Sequence, residues 1–129
     1  MILLTNSTDI LQIYATQASP PVPLEISVNY IDLNLQTRLQ APGRKNIIIN
    51  ESGVSEIITG SSSYGVSRAV KQLSIFNSDT ENSIDIEIRH SALYEGETDP
   101  SVVTQYAVTL AARQIAQYTS GNGFNKQGD

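Results

Sequence analysis

The chain of 129 residues contains no cysteine, no tryptophan, a single histidine and two phenylalanines. Without cysteine, disulfides and thiolate metal sites are excluded, so the fold must rest on packing or on assembly with partners. No apolar run approaches the roughly 20 residues that span a bilayer, and no membrane contact is expected. The opening Met1-Ile2-Leu3-Leu4-Thr5-Asn6-Ser7-Thr8-Asp9 has neither the basic leader nor the long apolar region of a signal peptide. Export by the general secretory route is therefore not expected. Positive charge is scarce too: 8 Lys and Arg face 13 Asp and Glu, and the basic residues are scattered singly apart from Arg44-Lys45. A nucleic-acid binder gathers positive charge on one face, so neither DNA nor RNA is expected as a partner. The acidic balance suits the solubility of a sheet protein.

What the chain does contain is alternation. Residues 65–88 read as two strands joined by the polar turn Asn77-Ser78-Asp79-Thr80-Glu81-Asn82. Val70, Leu73 and Ile75 lie among polar neighbours, and Ile84, Ile86 and Ile88 alternate with Asp85 and Glu87. A period of two predicts one buried and one wet face, as in an antiparallel sheet. Leu11, Ile13 and Ala15 give a strand ending near Gln17, and Ala-Ser-Pro-Pro-Val-Pro at 18–23 reads as a stiff connector. Leu24 to Leu33 is a second strand with Ile26, Val28 and Tyr30 on one face. Ala-Pro-Gly-Arg-Lys at 41–45 predicts a turn, and the isoleucines of Asn46 to Asn50 predict a strand buried on both sides. A turn at Ser52-Gly53, a short strand over Ser55 to Thr59 and a loop over Gly60–Gly65 follow. Turn signals every 8–12 residues favour a sandwich or barrel. Residues 101–118 are balanced between helix and strand. Asp99-Pro100 suits a helix start and Val108, Ala111, Ala112 and Ile115 have helical spacing, yet Val102 to Thr109 is rich in strand formers.

These residues resemble a known group. Ser7-Thr8-Asp9-Ile10-Leu11-Gln12-Ile13, Val28-Asn29-Tyr30-Ile31-Asp32, the series from Arg68 and Val70 through Asn77 and Asp79-Thr80, and the closing Val108-Thr109-Leu110, Gln117-Tyr118-Thr119 and Gly123-Phe124 resemble small β-sandwich virion proteins of tailed bacteriophages. The resemblance implies strand, turn, strand over 101–118, with a local helix kept as the alternative by Ala111-Ala112-Arg113. The expected fold is an all-β, single-domain, antiparallel, jelly-roll-like β-sandwich over residues 1–129, long enough for a real core.

Candidate chemistry is weak throughout. His90 would need a positioned nucleophile and an orienting acid, but strand geometry puts Ser91 on the opposite face, and Asp85 alone makes no triad. Glu95, Glu97 and Asp99 alternate in an acidic loop, without the spacing or closing glutamate of a calcium loop. Asp85 and Glu87 share the wet face of a strand, where they keep that face solvated rather than hydrolyse a glycoside. Gly60–Gly65 lacks the lysine of a phosphate cradle. The six tyrosines are spread out rather than gathered into a shelf, and suit subunit contacts. No catalytic, metal or cofactor residue is therefore assigned. The expected function is that of a non-enzymatic virion protein, a capsid decoration or cement protein, with a tail, collar or fibre-attachment accessory and a carbohydrate-binding adhesin as alternatives. Its expected partners are the major capsid protein or tail proteins and further copies of itself, met through segment 1–6, the 18–23 connector and the 121–129 tail.

Overall fold

The computed structural model describes residues 2–16, 22–93 and 96–128. Among them are ten strands and no helix: β1 Ile2–Leu4, β2 Ile10–Ala15, β3 Leu24–Asn34, β4 Gln40–Ile49, β5 Gly53–Thr59, β6 Val66–Asn77, β7 Ile84–Ala92, β8 Ser101–Leu110, β9 Ile115–Thr119 and β10 Gly123–Gln127. They form two antiparallel sheets, one in the order β10-β9-β6-β3-β4 with β1 added on β6, the other β5-β2-β7-β8. The two sheets face each other as a β-sandwich.

Alternation builds the core as the sequence implies. The inward faces supply Leu11 and Ile13 from β2, Leu24, Ile26 and Val28 from β3, and Leu73 and Ile75 from β6. Ile84, Ile86 and Ile88 from β7 are buried with them, while Asp85 and Glu87 lie on the outer face. Fully burying an isoleucine or leucine contributes about 1.5–3 kcal/mol, so these rows are what holds the sheets together. Tyr106, Phe124 and Tyr118 close one side of the core as a stack, with ring centroids 4.8 and 4.9 Å apart.

β6 is the spine of the larger sheet. One edge pairs with β3 along its whole length. The other edge is shared end to end: β1 pairs with residues 68–70 and β9 with residues 72–76. The backbone N–H of Ile2 donates to the Tyr118 hydroxyl at 2.9 Å, stitching the two short strands at their junction. Ile2 and Leu4 are buried in the core, so of this segment Leu3 and the turn after it face outward.

Several expectations need correction. The two strands of 65–88 exist but do not pair: β6 lies in one sheet and β7 in the other, and residues 78–83 carry the chain between them. Residues 41–45 are strand, not turn. Proline is tolerated there because β4 is an edge. The turn comes earlier, where the Asn34 side chain accepts from the N–H groups of Gln36 and Thr37 and Arg38 takes a left-handed φ of 61°. Ile48 points to the outer face of the sheet and is 70% exposed, so the three isoleucines are not buried on both sides. The helix alternative within 101–118 gives way to β8, a tight turn over 111–114 with Arg113 at φ 67°, and β9. Of the proline connector, residues 18–21 lie outside the described residues.

Candidate functional site

Two polar side chains, Asn77 and Arg68, tie the sheets together as structural clasps. At one end of the sandwich Asn77, 0% exposed, donates its side-chain amide to the carbonyls of Asn82, Leu110 and Ala111 at 2.9, 3.1 and 3.2 Å. Its own backbone N–H donates to Gln114 and its carbonyl accepts from Arg113. Both connections that cross between the sheets at this end, 78–83 and 111–114, are thereby tied to one residue. Beside it Asp79 accepts from the backbone N–H groups of Glu81 and Asn82 at 2.7 and 2.8 Å. Those two bonds hold its carboxyl below the usual carboxylate range.

The opposite end has a charged clasp. Arg68 donates Nε and Nη2 to the two oxygens of Asp32 at 2.8 and 2.9 Å, and Nη1 to the carbonyl of Thr59 in the other sheet at 2.9 Å. Its guanidinium also lies 4.2 Å from the centre of the Tyr30 ring. The bond to Asp32 raises the arginine's pKa against the opposing effect of burial. The Tyr30 ring covers Gly43 so closely that no side chain fits at that position. Nearby, Asp9 accepts from the N–H and hydroxyl of Thr5 and the N–H of Asn6, folding the β1–β2 turn.

The residues singled out from the sequence are not brought together. His90 is on β7 opposite Leu11, Ser91 faces the other way, and Asp85 is bonded to the hydroxyl of Thr109. No group among the described residues hydrogen-bonds to the enclosed His90 Nε2. Glu97 and Asp99 are exposed in the turn before β8, and Glu95 lies outside the described residues. Among the described residues no group of three or more His, Asp or Glu is placed to hold a metal ion. Tyr14 is stacked under Arg89, 4.4 Å from its centre, Tyr106 and Tyr118 join the aromatic stack, and Tyr94 lies outside the described residues. In the Gly60–Gly65 loop Gly60 presses against the Asn6 carbonyl, where any Cβ would collide with backbone, and Tyr64 is 94% exposed. Asn77, Arg68 and Asp9 were not singled out in the sequence. For Asn77 and Asp9 the only signal was a short polar side chain at the border of a polar turn run, and Arg68 carried none.

What the fold does present is surface of three kinds. The outer face of the larger sheet carries the cross-strand row Asn125, Gln117, Ser74, Ser27 and Asn46, all neutral and polar. Part of that row, Ser27, Asn46 and Ser74, lines a shallow depression of about 630 Å³ together with Glu25, Ile48 and Phe76. The outer face of the smaller sheet is charged: Arg89 pairs with Glu87 at 2.7 Å, and Glu87 accepts from Thr104 at 3.3 Å. The third surface is an apolar tip. Leu35 and Leu39, 60% and 70% exposed, flank the β3–β4 turn. The Leu35 N–H donates to Gly65, which brings Tyr64 to the same end. Compared with known proteins, the chain matches no family model, no curated protein and no solved structure.

Proposed function

We propose that the protein is a non-enzymatic structural protein of a tailed-phage virion, a decoration or cement protein that binds and stabilises the assembled capsid shell. The reading rests on the resemblance of its strand segments to small virion sandwiches. One observation carries it further: the large apolar side chains of Leu35, Leu39 and Tyr64 are exposed together at one tip. Leu35, Leu39 and Tyr64 would seat against the major capsid protein, and the exposed β10 residues Asn125–Gln127, toward the other end of the sandwich, would meet a neighbouring subunit. Each contact is weak, but repetition over a symmetric shell multiplies them through effective concentration. The protein is assembled in the host cytoplasm and resides in the virion. Electron cryo-microscopy of the source particle tests this. Density for the sandwich in hundreds of copies on the shell supports decoration, six or twelve copies moves it to the tail or collar, and absence from purified virions ends the reading.

A second reading is a carbohydrate-binding module, favoured by the neutral row of Asn, Gln and Ser side chains across the larger sheet. It requires saturable glycan binding by the purified protein, lost on Gln117→Ala with Asn46→Ala. No such binding across a glycan panel removes it.

A further inference from the structure

The free edges of the two sheets are not alike. β4 carries Pro42, Arg44 and Lys45, β5 carries Glu56 and β10 carries Lys126. Charge and proline are the usual protections of an exposed edge against pairing with another chain. β8, Ser-Val-Val-Thr-Gln-Tyr-Ala-Val-Thr-Leu, has neither within its 10 residues, and no strand among the described residues pairs with its outer edge, which Lys126 meets only at its end, at the Thr109 carbonyl. Val102 and Val103 on it are 49% and 57% exposed. From this edge we infer that the protein forms a two-fold dimer in which β8 pairs antiparallel with β8 of a second copy, joining two four-stranded sheets into one of eight strands. The inference does not depend on the virion reading.

Two features point to a second copy as the occupant. The first is the bulge. The pairing with β7 shifts between Ile88 and Arg89, leaving Gln105 unpaired at the middle of β8. Before it Val102 and Thr104 lie on the outer face, and after it Ala107 and Thr109 do. Full-length antiparallel pairing of β8 with itself sets Val102 opposite Thr109, Val103 opposite Val108 and Thr104 opposite Ala107. In a regular strand those partners would point to opposite faces, since the side-chain period is two. The central bulge switches the parity and makes the strand self-complementary, as an isologous interface requires.

The second feature is charge. The molecule is acidic, and two copies would repel wherever their carboxylates met. β8 is uncharged, and its two ends differ in sign. The exposed turn with Glu97 and Asp99 leads into it, and exposed Arg113 follows it, with Lys126 reaching the Thr109 carbonyl at 3.4 Å. An antiparallel pair therefore brings the acidic turn of each copy to the end of β8 that Arg113 follows, where the guanidinium would swing from the Phe76 ring, 4.9 Å away, to meet it, twice about the axis.

Sedimentation equilibrium of the full chain over a concentration series tests this. A monomer–dimer equilibrium is expected. Val103→Lys sets a charged side chain opposite Val108 of the other copy, twice about the axis, and should weaken the pair by about tenfold or more. Ile48→Lys on the β4 edge should leave it unchanged. Arg113→Glu should also weaken the dimer, and combining it with Glu97→Lys and Asp99→Lys should restore it. A monomer at every concentration up to about 1 mM overturns the inference. So does a dimer that survives Val103→Lys in a protein whose circular dichroism is unaltered, or one lost on Ile48→Lys. If Val103→Lys does not fold, the Arg113 charge reversal and its rescue decide, since those side chains are exposed; loss without rescue overturns the pairing.

Discussion

The two ends of the sandwich solve one problem with different chemistry. Each must tie a strand of the larger sheet to the backbone of the smaller one. At one end Asn77 does so with a neutral amide that water cannot reach, bonded to three carbonyls. At the other, Arg68 does so with a charge that keeps some solvent contact and is matched by Asp32. The neutral clasp gains from low local polarity and is costly to break, because its carbonyl partners are left dry and unpaired. The charged clasp is open to screening and to water as a substitute partner. The rigid end is thus the dry one, and the end carrying Leu35, Leu39 and Tyr64 is held by bonds that solvent can replace. The proposed contact surface and the looser clasp fall together.

The sharpest way to break the contrast is Asn77→Ala, expected to cost about 3 kcal/mol in urea unfolding, with little dependence on salt. A loss under about 1 kcal/mol would mean that water replaces the amide and the end is not dry. Gly60→Ala forces the Asn6 carbonyl aside and should cost about 2 kcal/mol, read in the same way. Arg68→Lys keeps the charge but loses the paired bonds to Asp32. It should cost about 1 kcal/mol, shrinking as salt is added, and a salt-independent loss would make the two clasps alike. Asp79 sharpens the comparison through pH. Its folded pKa is depressed, so its contribution is present above the ordinary carboxylate value and is lost as pH falls through the depressed one. Asp79→Asn should therefore narrow the stability difference between pH 6 and strong acid in calorimetry. Leu35→Ser with Leu39→Ser should change stability least, by under about 0.5 kcal/mol, while abolishing binding to capsids in a co-sedimentation assay.

The faces of the strands were legible in the sequence; their partners were not. Ile84, Ile86 and Ile88 announce a buried face by period alone, and that face is core. Nothing in the period says which strand lies alongside, so β6 and β7 read as neighbours although the chain changes sheets between them. Pro42-Gly43 is a dipeptide of turns, but an edge strand accepts it too. The true turn had its own mark in Asn34, whose side chain organises the next residues. At 101–118, β-branched residues decided against helical spacing because β7 offers a full-length partner. The clasps were hidden for a different reason. Asn77 binds carbonyls 33 and 34 residues away, and no local pattern encodes a contact that the folded topology creates.

The shared edge of β6 has a consequence for the timing of folding. β1 precedes in the chain the strand that completes its berth, since Ile2 donates to a hydroxyl 116 residues further on. At about 5–20 residues per second, roughly 6–23 s of synthesis separate the two. Through that interval Ile2 and Leu4 have no finished groove to enter. The nascent chain carries them as an unpaired hydrophobic segment, open to a chaperone or to the vacant β6 edge of a neighbouring chain. The same seam that looks continuous in the folded protein is therefore the place where one copy can most readily borrow a strand from another while both are still being made.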